Sequence, residues 1–252
     1  MVYDRLANVY DQWMSDTPYD EWTRLTEELF KSFPHPLRTV IDLGCGTGEV
    51  TTRLAEKGYE MIGVDYSENM LTQAQHKASE KQLNIQWIRQ DLRKLEGFCN
   101  LDAAISYCDV MNYITSEQDV QTVFQRVAHA LKDGGLFIFD VHSLDYVQHQ
   151  LIHRTFADVT EEEAYIWFCY EGDYEGEMYH DLTFFKRSGE LYHRFDEYHH
   201  QRTFPIDVYK KLLRQAGFEI QHVFADFSLQ RHPLEGSPQR IFFVANKNEG
   251  MK

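Results

Sequence analysis

The first chemical hint lies in a short run of glycines flanked by acids. In Asp42-Leu43-Gly44-Cys45-Gly46-Thr47-Gly48 every second residue from Gly44 on is glycine, a pattern that lets backbone approach a nucleotide closely. The spacing is not the G-x-G-x-x-G of the dinucleotide fingerprint. Asp42 precedes the loop, Glu49 follows it, and no Lys or Arg lies between Val40 and Thr52. A pyrophosphate sits badly against two carboxylates, whereas a nucleoside bearing cationic groups and no phosphate gains from them. Asp65, seventeen residues after Gly48, can accept from both hydroxyls of a ribose. A loop serving packing alone and an acid serving as a mere cap are the competing readings, and finding both features at this spacing speaks against them.

These residues need elements to position them. Thr39–Leu43 reads as a short β-branched strand ending in the loop. Residues 48–57 form a helix closed by Gly58, Met61–Asp65 a second strand, and Ser67 caps a helix running to about Gln82. Ile85–Ile88 and Leu101–Ser106 are further strands. Ser116 caps a helix whose Val120, Val123, Phe124, Val127 and Leu131 share a face, with Gly134-Gly135 as its stop before a strand over 136–141. Strands alternating with helices predict a parallel sheet covered on both faces. Two helical segments, 3–14 and 19–32, precede it. From 144 to 203 the rhythm changes to three strand-like runs (165–170, 178–186, 191–200) separated by glycines, an inserted antiparallel meander. A helix opened by Pro205 and strands near 219–224 and 240–245 complete the chain.

Val40–Gly48 resembles the first motif of the class I S-adenosylmethionine (SAM)-dependent methyltransferases. Gly63-Val64-Asp65-Tyr66-Ser67 with Met70 resembles the second, Arg89-Gln90-Asp91-Leu92 the third, Leu101–Ile105 the fourth, and Leu131–Leu136 the run before strand 5. The resemblance implies a Rossmann-like α/β fold: a seven-stranded sheet, mostly parallel with the last strand antiparallel, plus a small inserted antiparallel β-sheet. It implies SAM as cofactor, S-adenosylhomocysteine as product, and a binding set of Asp42, Gly44, Cys45, Gly46, Thr47, Gly48, Asp65, Tyr66, Met70, Gln90, Asp91, Leu92 and Tyr107. A narrower resemblance is to small bacterial methyltransferases with an N-terminal Y-D…Y-D-x-x-M element and a β insertion after strand 5. It adds Tyr10, Tyr19 and Trp22 as pocket residues, each of which could equally be a core anchor. The implied domains are 1–143 with 204–252 for the cofactor and 144–203 as an inserted lid.

Methyl transfer from a sulfonium is an in-line displacement that depends mainly on positioning, so no catalytic side chain is strictly required. Candidates able to face the pocket beyond strands 4 and 5 are Tyr107, Asp109, Asn112, Tyr113 and His142. His142 ranks first as a base because imidazole titrates near neutrality, against a hydrogen-bonded structural role. His199 and His200, adjacent on a strand, point to opposite faces and receive no catalytic assignment. Residues 156–204 hold 13 of the 36 aromatics, and 156–200 hold twelve acids against three bases. An aromatic, acid-rimmed lid favours a neutral or cationic small molecule; a sheet with one buried and one solvated face is the plainer alternative.

The formal charge of −15 repels phosphate backbones and disfavours nucleic acid without excluding tRNA. No apolar run is long enough to span a bilayer, no secretory signal opens the chain, and four scattered cysteines suit a reducing cytoplasm and no zinc site. The expected function is methyl transfer from SAM to nitrogen or oxygen of a small molecule, with no metal. Alternatives left open are a non-catalytic SAM-binding protein, a tRNA or protein methyltransferase, and an NAD-dependent oxidoreductase, which the loop spacing disfavours. Acceptor identity and the choice between monomer and homodimer are not legible.

Overall fold

The computed structural model describes residue 14, residues 17–233 and residues 235–250. Tyr10 and the expected helix over 3–14 lie outside the described residues. A seven-stranded sheet is built from β1 (Thr39–Leu43), β2 (Glu60–Asp65), β3 (Gln86–Arg89), β4 (Leu101–Ser106), β5 (Leu131–His142), β10 (Phe218–Ala225) and β11 (Arg240–Lys247). The spatial order is β10-β11-β5-β4-β1-β2-β3. β1 pairs in parallel with β2 and β4, and β4 with β5, while β11 runs antiparallel to both its neighbours. The last strand is thus the one reversed, as expected.

Side-chain alternation on these strands builds two cores. Ile41, Leu43, Phe137, Phe139 and Phe243 point to one face, where they meet α4 (Glu117–Ala130) and α5 (Ile206–Gln215) through Phe124, Val127, Tyr209 and Leu213. Val40, Ile105, Ile138, Phe242 and Val244 point to the other, against α1 (Tyr19–Lys31) and α2 (Glu49–Glu56) through Trp22, Leu25, Leu29 and Leu54. Being covered on both sides, the central strands are near-continuous apolar runs. The expected caps form: Ser67 Oγ accepts from Met70 N ahead of α3 (Glu68–Glu80), and Ser116 Oγ from Asp119 N ahead of α4.

Two details differ from the sequence reading. α4 ends at Ala130, before Gly134-Gly135, because Leu131 is already extended and pairs with Leu101 on β4. The second sheet has four strands: β6 (Thr155–Val159), β7 (Glu163–Glu171), β8 (Glu177–Ser188) and β9 (Leu191–Arg202), in that order and all antiparallel. β6 is mostly exposed, so it carries no buried alternation to announce it. The sheet sits between β5 and α5 in the chain and closes back onto the large one. Asn112 Nδ2 donates to Arg202 O, and Thr203 Oγ1 to His142 O.

Candidate active site

The loop after β1 is fixed from both sides. Gly44 N and Cys45 N donate to Val64 O at 2.7 and 3.0 Å. Asp65, at the end of β2, accepts from Gly46 N at 2.9 Å with one oxygen and from Ser67 N at 2.8 Å with the other. All three glycines have left-handed φ, for different reasons: a Cβ on Gly44 would lie 2.4 Å from Val110 Cγ1 and one on Gly48 2.7 Å from Trp87, whereas Gly46 faces open space. Asp42 is buried and accepts from Thr51 Oγ1 at 2.5 Å, and burial pushes its carboxyl up to about 7. Burial also raises Asp65.

Around this loop lies a cavity of about 560 Å³. Of the expected binding residues, Tyr19, Asp42, Gly44, Cys45, Gly46, Thr47, Asp65, Tyr66, Met70, Gln90, Asp91, Leu92 and Tyr107 line it; Gly48 and Trp22 do not. Gly48 instead caps α2. Tyr107 Oη shares a hydrogen bond of 2.7 Å with Thr26 Oγ1, which ties the end of β4 to α1. The acidity read from the loop sequence is partly cancelled in space. Against the upward push of burial, Lys77 and Arg53 pair with Glu49 and hold it below the usual carboxylate range.

A second cavity, about 530 Å³, adjoins the first, and Cys108 and Tyr113 line both. Its floor comes from α1 and from the strand ends and adjoining loops of the large sheet: Trp22, Asp109, His142, Phe227 and Arg240. Its far wall comes from the small one: Tyr165, Trp167, His180, Phe184, His199 and Gln201. Cys108 and Asp109 are consecutive non-glycine residues at positive φ, 56° and 55°, a backbone strain that often marks working sites. Asp109 N is held by Asp140 Oδ1 at 3.0 Å. Asp140, fully buried and raised by burial, also accepts from Trp22 Nε1 at 3.1 Å and Arg240 Nη1 at 3.2 Å. Arg240 spans to Asp109 at 2.9 Å.

Of the five candidates, Asp109, Tyr113 and His142 line this second cavity, Tyr107 lines the first, and Asn112 lines neither. His142 Nε2 lies 3.4 Å from Asp109 Oδ1. Burial pulls its imidazole down to about 4, so the property that ranked it first, titration near neutrality, is absent. Tyr113 Oη meets His199 Nδ1 at 2.9 Å. His199 and His200 do point to opposite faces, and each lines a different cavity.

Residues 40–135 match the family model described as "Methyltransferase domain". The chain is 43% identical over 250 residues to YqeM of Bacillus subtilis (strain 168), which carries a methyltransferase designation; the match covers 99% of this chain and 98% of that one. Among solved structures, it is similar to an S-adenosylmethionine-dependent methyltransferase from Clostridium acetobutylicum ATCC 824. That match has a TM-score of 0.88 at 28% identity and covers 98% of this chain and 99% of that one. The chain belongs to the class I SAM-dependent methyltransferases. The sugar N-methyltransferase KedS8 from Streptoalloteichus sp ATCC 53650 shares the fold, with a TM-score of 0.78 at 20% identity over 95% of this chain and 93% of that one. The first cavity of this methyltransferase suits a donor with cationic groups and no phosphate. Asp42 and Asp65 face it, the one Arg among its described lining residues, Arg93, is spent on Asp91 at 2.6 Å, and Gly46 leaves backbone open to it. Sequence reasoning missed Tyr198 and His200 in the first cavity and His180, Gln201 and Arg240 in the second. Strand alternation within the insertion was the only signal for the four on β8 and β9, and Arg240, at the start of β11, had none.

Proposed function

We propose that this methyltransferase holds SAM in the first cavity and methylates a nitrogen or oxygen of a small molecule seated in the second. The observation that carries this reading is the meeting of the two cavities at Cys108 and Tyr113, with an aromatic wall closing the far side. When bound, SAM supplies a methyl group made electrophilic by its sulfonium. In this reading Asp65 accepts from the ribose hydroxyls, Asp42 faces the ammonium, and Gln90, Asp91 and Leu92 border the adenine, all of them lining the first cavity. Residues 144–203 act as the lid and acceptor-binding unit, excluding water while the acceptor is held in line. Positioning of that kind can contribute roughly 7–11 kcal/mol in favourable cases. The shared fold of a sugar N-methyltransferase is compatible with a small acceptor, and four free cysteines suit a reducing cytoplasm.

The test is calorimetric titration with SAM and S-adenosylhomocysteine, beside an acceptor screen that reads S-adenosylhomocysteine release. Asp65→Ala removes the carboxylate that both organises Gly46 and meets the ribose. It should weaken S-adenosylhomocysteine binding about 10- to 100-fold, the range for losing hydrogen bonds to a charged group. Unchanged affinity in a folded variant would sink the assignment of the first cavity.

A further inference from the structure

We propose that the second cavity takes a basic amine carried on an apolar, planar body, with the Asp109 carboxylate as the charge that holds it. The proposal rests on the reading above that the acceptor sits in this cavity.

Charge makes the first part of the case. Among the described residues that line the cavity, the ionisable side chains are Asp109, Arg240, Cys108, three histidines and three tyrosines, and burial holds the Cys108 thiol neutral. Arg240 is committed, with Asp109 Oδ1 at 2.9 Å, Asp140 Oδ2 at 3.2 Å and its guanidinium over the Trp22 ring. Two carboxylates, Asp109 and Asp140, share that one guanidinium, and the lining holds no further Lys or Arg for a phosphate or carboxylate. His142, His180 and His199 are all shifted down by burial, the first and last to about 4, so none adds positive charge at neutrality.

A directed hydrogen-bond chain makes the second. Trp167 Nε1 can only donate, and it donates to His180 Nδ1 at 2.9 Å. His180 therefore carries its proton on Nε2, which donates to Gln201 Oε1 at 3.0 Å. Gln201 Nε2 in turn donates to Asp109 Oδ2 at 2.9 Å. Each link fixes the next, so the small sheet reaches across the cavity and orients the carboxylate. Against burial, which would raise it, His142, Arg240 and Gln201 keep Asp109 below the usual carboxylate range. That direction keeps it ionised at neutral pH.

The walls make the third. Tyr146, Tyr165, Trp167, Phe184 and Phe227 line the same space. Aromatic faces attract a cation and bury an apolar body, while they offer nothing to an anion.

The experiment uses the full chain saturated with S-adenosylhomocysteine and three probes of one shape: phenethylamine, phenethyl alcohol and hydrocinnamate, followed by saturation-transfer NMR and calorimetry. Phenethylamine should bind about tenfold tighter than the alcohol, and hydrocinnamate weakest. Asp109→Asn should erase the preference for the amine while leaving S-adenosylhomocysteine binding in place. Equal affinity for the three probes, a preference for hydrocinnamate, no detectable amine binding, or an unchanged preference in Asp109→Asn would overturn the proposal. Should Asp109→Asn not fold, the ranking of the probes on the unmodified chain decides alone. Failure of S-adenosylhomocysteine to bind at all would instead count against the first cavity as the cofactor site.

Discussion

At the scale of single residues, the three glycines of the loop look alike in the sequence and are separated by what surrounds them. Gly44 and Gly46 are both left-handed, at φ 77° and 53°, so alanine at either costs about 1–2 kcal/mol in backbone strain. At Gly44 a methyl group also runs into Val110 at 2.4 Å, so the loop must shift to admit it. At Gly46 it meets nothing within 4 Å and projects into open space beside a residue that lines the first cavity. Gly44→Ala should therefore lower Tm clearly. Gly46→Ala should stay folded with only a modest Tm loss, yet bind S-adenosylhomocysteine at least about tenfold more weakly. Thermal melts paired with calorimetry of the two variants separate the cases. Equal affinity losses at matched stability would mean that Gly46 does not border the ligand.

At the scale of elements, α1 is fastened to the sheet by a buried polar contact as well as by packing. Trp22 Nε1 donates to Asp140 Oδ2 at 3.1 Å, and both side chains are almost wholly buried. Trp22→Phe keeps an aromatic in place but removes the donor, which should cost about 1–3 kcal/mol. For a chain of this length that is a Tm drop of roughly 2–4 °C per kcal/mol. A denaturant melt checks it, and a loss near zero would show that water or Arg240 takes over the contact. How far the elements were legible follows from range. β1, the glycine loop, Asp65 and the Ser67 and Ser116 caps are set within a few residues of sequence, and they formed where the pattern put them. The partners of Asp109 lie 92 and 131 residues away, at Gln201 and Arg240, and depend on the register of strands in two sheets. Lys77 reaches Glu49 from α3 in the same way, which local acidity did not announce. Trp22 was expected at the cofactor because its neighbourhood resembles a motif. It instead faces Asp140, since alternation along β5 turns that acid toward α1.

At the scale of the whole molecule, the seam between the two sheets should respond to acid. His142 and His199 line the second cavity, and burial holds both near 4, whereas an unfolded histidine titrates near 6.5. Between about pH 6.5 and 4 the unfolded chain therefore binds more protons, and stability rises with pH. The contribution is complete above about 6.5 and is lost as pH falls through about 4. Asp42 works the other way. Pushed up to about 7 when folded and near 3.9 when unfolded, it lets the folded chain hold the extra proton in that interval, so its contribution fades as pH rises. The measured pH dependence of the unmodified protein is the difference between these opposing groups, and only variants separate them. His199→Asn should flatten the loss of stability between about pH 7 and 4.5 by on the order of 1–2 kcal/mol. Asp42→Asn, which removes the opposing group, should make the fall toward acid steeper. Scanning calorimetry of the three proteins across that range reads both effects in one series. Parallel curves would mean that the seam takes up its protons without opening, and that the two sheets are not held together by neutral imidazoles.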